Sequence, residues 1–306
     1  MNSLVGYTGF VGSNIYAKGE IDKVYNSKNI KESFGTNPDL LIYAGLRAEK
    51  YLANTNAKQD MDTIIQAEEN ITAINPKKLV LISTIDVFKN PKGVNEDSEV
   101  DTSNLSPYGY NRYQLEKWTR LHYPDALIIR LPGLFGRNIK KNFIYDYINV
   151  IPYMLSESKY GELVIKDNSI SKYYQKLDNG FYRFKAFEEK ETVREVFDKL
   201  NFSALNFTDS RSSFQFYNLE RLWQDIQIAI NNDILLWHPA TEPVTATEIY
   251  HYLTGKDFEN RLDGSPADYN YKTKYAEKFG GHGDYICNKQ QVLEDIKEFV
   301  SENMGK

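Results

Sequence analysis

Gly6, Gly9 and Gly12 recur at every third position in the run Gly6-Tyr7-Thr8-Gly9-Phe10-Val11-Gly12, which follows a strand-like stretch and opens a helical one. Glycines so placed let a backbone turn tightly and approach a ligand closely. The helix N-terminus adds unpaired N–H groups and the positive end of a dipole. Together these make a pyrophosphate cradle, lined by Gly6, Thr8, Gly9, Phe10, Val11 and Gly12. The spacing is G-x-x-G-x-x-G rather than G-x-G-x-x-G, and a plain strand-to-helix turn can carry the same residues. Its place at the very first strand, where dinucleotide-binding folds hold their phosphate loop, favours the ligand.

The next strand ends Val24-Tyr25-Asn26-Ser27-Lys28. An acid there would accept hydrogen bonds from a free ribose 2′-hydroxyl, and none is in reach. Asn26, Ser27 and Lys28 suit a 2′-phosphate instead, so the expected cofactor is NADP, with NAD the alternative. A solvated surface lysine would fit Lys28 equally well.

The elements that must position these groups alternate. Ser3–Val5, Lys23–Tyr25, Leu40–Ala44, Leu79–Ile82 and Ala126–Ile129 are short apolar or β-branched runs, as in strands covered on both faces. Helical stretches such as Asp60–Asn70 and Tyr108–His122 lie between them. The fold class predicted is α/β, a Rossmann-type doubly wound parallel sheet with a smaller α+β C-terminal substrate domain. Beyond Arg137 the chain is more polar and aromatic. KYYQKLDNGFYRF reads as an antiparallel hairpin, ETVREVFDKL as a short helix, and 218–231 as an amphipathic helix with Leu219, Leu222, Trp223, Ile226 and Ile230 on one face. ILLWHPA reads as a further strand, TATEIYHYLTG as a helix ending at a glycine, and Gln290–Val300 as the last helix. The domains drawn from this are 1–137 with 204–237 for the dinucleotide and 138–203 with 238–306 for the substrate.

Three further segments follow in order: Ser83-Thr84-Ile85-Asp86-Val87-Phe88, Ser106-Pro107-Tyr108-Gly109-Tyr110-Asn111-Arg112 with Glu116, and Ile129-Arg130-Leu131-Pro132-Gly133-Leu134-Phe135-Gly136. With the glycine loop they resemble the extended short-chain dehydrogenase/reductases, the NAD(P)-dependent nucleotide-sugar epimerases, dehydratases and reductases. Looser matches, Ser213-Phe214-Gln215-Phe216-Tyr217 and Thr241-Glu242-Pro243-Val244-Thr245, carry the resemblance along the rest of the chain.

The resemblance implies a Ser/Thr–Tyr–Lys triad. Its tyrosine exchanges a proton with a sugar oxygen while the nicotinamide moves hydride. The phenol, with an ordinary pKa near 10, must be made more acidic, and a cation at i+4 faces the same side of the helix. Two pairs have that spacing. Tyr113 and Lys117 fit the bare Y-x-x-x-K pattern. Tyr108 and Arg112 fit its surroundings: Ser-Pro before, Gly at +1, Asn at +3 and Glu at +8. The catalytic set expected is thus Thr84, Tyr108 and Arg112. Arg112 departs from the family's lysine, and a guanidinium that does not deprotonate is a poor proton relay. A protein that binds the cofactor as sensor or scaffold without turnover is the alternative function. By the same resemblance Ala44, Gly45 and Pro132, with Tyr108 and Arg112, line the cofactor, and Asp86 stands where dehydratase-like relatives carry an acid. Gly133 occupies the place of a sugar-contacting Asn.

Arg211, Arg183 and Arg194 are candidates for gripping the substrate's diphosphate, Arg211 first among them. His122, His238, His251 and His282 show no metal-ligand spacing, so no metal is expected. A net charge of −5, with 37 basic and 42 acidic residues interspersed, argues against nucleic acid. No apolar run approaches membrane-helix length, no secretory signal is read, and Cys287 is the lone cysteine. These features point to a cytoplasmic protein. A homodimer is compatible with the resemblance.

Overall fold

The computed structural model describes residues 1–304. The chain divides into two compact units, the first comprising Met1–Ile139, Ser213–Val244 and Asp268–Ile296, the second Lys140–Ser212, Thr245–Ala267 and the end of the chain from Lys297.

The first unit is built on strands β1 (Asn2–Val5), β2 (Lys23–Tyr25), β3 (Leu40–Tyr43), β4 (Lys78–Thr84) and β5 (Leu127–Leu131), with Leu236–Trp237 pairing beside β5. All neighbours are parallel, and the order runs β2-β1-β3-β4-β5 and then Leu236–Trp237. Helices α1 (Phe10–Lys18), α2 (Lys50–Thr55), α3 (Ala57–Ile74) and α4 (Pro107–His122) supply the crossovers. This is a Rossmann-type α/β sheet. Every residue of β3 and of β5 is buried, which is why those runs carry no polar alternation. Ile64, Ala67, Ile71 and Ile74 of α3 and Leu115 of α4 close over one face, against Leu41, Leu79 and Ile128.

Strand order reverses between β1 and β3, so the crevice outside their C-terminal ends is the topological switch point where such sheets take ligands. The glycine loop leaves β1 at that place. Beneath β4 and β5 lies a buried charge network. Glu116, fully buried, accepts from Ser83 Oγ at 2.6 Å and from Arg130 Nη2 at 2.7 Å, and the Arg130 guanidinium also lies 4.9 Å from the Phe88 ring centroid. It ties α4 to both strands by groups that leave no charge unpaired.

The predicted elements occur with ends shifted by a few residues, and α2 was not foreseen. The division of the chain differs from the sequence reading. Asp268–Ile296 belongs to the first unit, because Tyr271, fully buried, exchanges hydrogen bonds with Gln215 and Glu96 accepts from Thr273 and the Lys274 N–H. Residues 204–212 fall in the second unit instead, tied in by Ala204 N–H to Val150 O and by Asn260 to Thr208 O.

The second unit contains a three-stranded antiparallel sheet, Met154–Leu155, Tyr182–Phe184 and Tyr174–Lys176 in spatial order. It packs on an aromatic cluster with Phe197 and Leu163. Helix Ala246–Thr254 opens with a reciprocal Thr245/Glu248 cap and closes on Gly255 in the left-handed region, φ +69°. No described helix is long and apolar enough to cross a membrane.

Candidate functional site

The glycine cradle is formed by backbone contact. Gly6 has φ +91°, and a side chain there would meet Ala44 O at 2.4 Å and Gly45 N at 2.9 Å. At Gly12 a Cβ would sit 2.1 Å from Gly6 O. Gly6 N–H donates to Tyr25 O at 2.7 Å and Gly9 N–H to Gly6 O at 2.9 Å, fixing the turn. The first intrahelical bond of α1 is Ser13 N–H to Gly9 O. Thr8, Phe10, Val11 and Gly12 thus sit at a helix start whose first N–H groups have no partner within the helix. Gly9, the N-cap, brings no side chain to occupy them. Ala44 and Gly45 flank the loop across the crevice. The residues present fit a dinucleotide pyrophosphate: the cradle is a backbone-lined hollow that any larger side chain would fill.

After β2 the chain turns through Asn26 to Asn29. Asn26 Oδ1 accepts from Lys28 N–H at 2.9 Å, and Asn29 Oδ1 accepts from Asn26 N–H at 2.8 Å. Ser27 and Lys28 are exposed on this turn. Asn26 therefore shapes the turn with its own side chain, while Ser27 and Lys28 present theirs outward.

The second part of the site stands at the C-terminal end of β4. Thr84 ends the strand and donates to Asp86 Oδ2 at 3.1 Å. Helix α4 begins beside it, capped by Ser106 with Pro107 in its first turn. Gly109 permits the approach, since a Cβ there would lie 2.1 Å from Asp86 O. Asn54 of α2 accepts from Tyr108 N–H at 3.0 Å. Tyr108 is thereby held at the mouth of a cleft of about 320 Å³ lined by Lys50, Asp86, Phe88, Lys89, Asn104, Leu105, Ser106 and Tyr108 itself.

Of the two tyrosine pairs, only Tyr108 lines this cleft. Tyr113 packs instead against Ile85, Val87 and Phe88, with the exposed Lys117 5.5 Å from its ring centroid. The Arg112 guanidinium stacks 4.1 Å from the Tyr108 ring centroid, pairs with Asp60 of α3 and donates to Arg47 O at 2.8 Å. Asn111 donates to the same Asp60 carboxylate at 2.8 Å. Arg112 is thus a buried cation with fixed partners, set against the face of the phenol. Burial pushes the Tyr108 hydroxyl above its ordinary pKa, while Arg112, Lys50 and a hydrogen bond with Thr84 pull the other way and Asp86 adds to the rise. The net direction is upward, opposite to what the family's triad implies.

Gly133 is small for a packing reason: a Cβ there would approach Gln215 O to 2.9 Å, where Gly133–Phe135 pairs with Phe216–Asn218. Pro132 lies between this pair and the end of β5, half-buried. Arg211 belongs to the second unit, where Asp209 holds its guanidinium with two bonds of 2.9 and 2.7 Å. Arg183 stands exposed on the central strand of the antiparallel sheet, and Arg194 lies 3.9 Å from Glu191 on its own helix. No cluster of metal ligands occurs among the described residues.

No family profile and no curated protein matches this sequence. Solved structures do. A dTDP-4-dehydrorhamnose reductase from Bacillus anthracis, in complex with NADP, is similar at 13% identity with a TM-score of 0.63, over 98% of this chain and 97% of that one. So is a short-chain dehydrogenase/reductase superfamily protein from Agrobacterium tumefaciens with bound NAD, at 12% and 0.59, over 99% and 97%. A UDP-glucuronic acid 4-epimerase variant from Bacillus cereus, with NAD and a UDP-sugar, matches at 13% and 0.59, over 99% of both chains.

The fold is that of the short-chain dehydrogenase/reductases.

Within that fold, Lys50 lines the cleft and Tyr269 reaches its Asp86, and neither is marked in the sequence. Lys50 Nζ lies 2.6 Å from Asp86 Oδ2 and 5.9 Å from the Tyr108 ring centroid. Tyr269 donates to Asp86 Oδ1 at 3.4 Å. Lys50 follows a loop with no recognisable pattern, and Tyr269 is distant in sequence from everything else in the cleft. Neither carries a signal that spacing or composition would expose.

Proposed function

We propose that this protein is an NADP(H)-dependent reductase acting on a keto sugar linked to a nucleotide. One observation carries the reading. The C-terminal ends of β1, β3 and β4, which point the same way in a parallel sheet, bring a side-chain-free phosphate cradle and the Thr84–Tyr108 pair to one edge. Gly6, Gly9 and Gly12 with the first N–H groups of α1 hold the pyrophosphate, and Ala44 and Gly45 leave room for the dinucleotide beside them. A nicotinamide cofactor held there would supply the hydride that the carbonyl carbon accepts. Tyr108 gives its hydroxyl proton to the carbonyl oxygen, Thr84 hydrogen-bonds that oxygen, and water returns the proton to Tyr108 afterwards. Arg112 stabilises the phenolate through its charge on the ring face.

Ser27 and Lys28, exposed where an acid would favour NAD, support the choice of NADP. The substrate class is supported by the similar proteins, which act on dTDP- and UDP-linked sugars. Asp86, which lines the cleft of the first unit, is assigned to the sugar. Arg211, already gripped by Asp209, is left out of the assignment. Calorimetric titration with NADPH, NADP, NADH and NAD tests the cofactor; NADPH oxidation by dTDP-4-dehydrorhamnose tests the reaction. Tight NADPH binding with oxidation is the expected result. Binding of NAD alone, with interconversion of a sugar and no net oxidation, means an epimerase.

The commitment of Arg112 to Asp60 and Arg47 favours a second reading, a cofactor-binding sensor or scaffold without turnover. Under it the protein binds NADPH, and neither it nor a Tyr108→Phe variant turns over any keto-sugar nucleotide.

A further inference from the structure

We propose that Lys50, the second residue to place a cation against Tyr108, is the mobile positive charge that supports proton transfer by that tyrosine. The inference rests on the reductase reading above and deepens its site.

Two cations face the phenol, and their surroundings differ. Arg112 is 4% exposed and fastened on two sides, to the Asp60 carboxylate and to the Arg47 carbonyl, above the centre of the ring. It cannot follow the hydroxyl oxygen or accept a proton. Lys50 is an ammonium on a flexible four-carbon stem, at the first turn of α2, with about half of its side chain exposed in the cleft. It pairs with Asp86 Oδ2 at 2.6 Å, and Asp86 accepts from Thr84 and Tyr269 as well. Thr84, Tyr108, Asp86, Tyr269 and Lys50 therefore form one connected set. Burial works most strongly against the Lys50 charge, but Asp86, Tyr269 and Tyr108 together outweigh it, so its pKa lies above the ordinary lysine value.

A device follows from this set. While Tyr108 is protonated, Asp86 holds the ammonium. When Tyr108 has given its proton to the substrate oxygen, a second anion stands within reach of the same ammonium, and Lys50 divides its charge between carboxylate and phenolate. The cleft opening beside Lys50 and Ser106 lets water return the proton. The charge that the family's motif supplies from i+4 on the tyrosine's own helix is here supplied from another helix. Arg112 fixes the ring and adds a static charge on its face.

The charged and titratable groups facing Tyr108 are Arg112 of its own helix, Asp86 after β4 and Lys50 of α2; Lys89 lines the same cleft and Tyr269 bonds Asp86. The first test reads the phenol directly and needs neither cofactor nor substrate. A trifluorinated tyrosine, which ionises near neutrality, is placed at position 108 and its fluorine resonance titrated in wild type, Lys50→Met, Lys50→Arg, Asp86→Asn and Lys50→Met/Asp86→Asn. The expected result is an apparent pKa raised by about 1 unit in Lys50→Met, as for loss of a cation within about 6 Å, and restored in Lys50→Arg. Because the Asp86 carboxylate itself raises the phenol, the double variant is compared with Asp86→Asn alone, and its pKa should lie above that single variant's. An unchanged pKa in Lys50→Met, or a double variant equal to Asp86→Asn, overturns the proposal.

A second test uses turnover. Lys50→Met should lower kcat about tenfold, shift the alkaline limb of its pH profile and leave NADPH affinity as it was. Equal loss of NADPH affinity and kcat would mean a structural role and overturn the proposal. A wild type without turnover would sink the reductase reading alone, and the fluorine titration would still decide Lys50.

Discussion

The cradle and the cleft sit at one edge of the same sheet and are made from opposite materials. The cradle is backbone: Gly6 against Ala44, Gly12 against Gly6, and a helix start with no side-chain cap. Its partners are local or lie on the adjacent strand, so three glycines at fixed spacing specify it. The cleft is side chains drawn from α2, the end of β4, the start of α4 and Tyr269, each aimed by a different neighbour. A phosphate, which presents the same oxygens whatever it is attached to, can be held by backbone alone. Proton chemistry needs particular groups at particular distances, and the same task can be met from different segments.

The difference can be pressed first through the brace that both depend on. Glu116→Ala would leave the Arg130 guanidinium, 1% exposed, without its carboxylate and Ser83 without its acceptor. Breaking a buried pair costs about 3–5 kcal/mol, and urea unfolding followed by circular dichroism should record a loss of that order. Both regions should suffer together, since α4 loses its tie to β4 and β5. A loss under about 1 kcal/mol would mean that the network is not what registers the helix.

Tyr108→Phe should strike the cleft alone. Removing the proton donor is expected to lower turnover by about 10³-fold, near 4 kcal/mol of barrier, with NADPH affinity unchanged in a fluorescence titration. Gly12→Ala should do the reverse. Its Cβ would need space now taken by Gly6 O at 2.1 Å, and overpacking of this kind costs about 1–3 kcal/mol. The measurable result is NADPH binding weakened by about 10- to 100-fold, with any bound cofactor turned over at nearly the normal rate. If each variant damaged both properties equally, cradle and cleft would be one energetic unit.

What the sequence disclosed follows the same division. Strands β1, β3, β4 and β5 are continuous apolar runs, and α3 and α4 have periodic apolar faces, so the sheet and its phosphate turn were legible from local pattern. That Tyr108 and not Tyr113 lines the cleft was legible too, because Gly109 and Ser106 sit beside Tyr108 for reasons of packing and capping. Lys50 was hidden, since a single lysine at the start of a six-residue helix has no periodicity to mark it. Arg112 was read as a replacement for a lysine, whereas its guanidinium is committed to Asp60, a partner 52 residues away. Gly133 was read for the side chain it lacks, and its smallness belongs to the close approach of Gln215. Long-range side-chain pairing is what local pattern does not contain.

The smallest effect bears on the cradle's far end, where backbone gives way to side chains. Lys28 stands exposed on the turn after β2, with Asn26 bracing its N–H. If Lys28 meets a 2′-phosphate, Lys28→Ala should weaken NADPH by about tenfold, near 1.4 kcal/mol, and leave NADH untouched, because only the phosphorylated ribose loses a partner. The loss should shrink as salt rises, since an exposed ion pair is screened. Parallel titrations with NADPH and NADH at two ionic strengths measure both features at once. Equal weakening of the two cofactors would mean that the turn's shape, held by Asn26 and Asn29, and not the charge, is what Lys28 supports. Cofactor choice would then be a backbone property like the rest of the cradle.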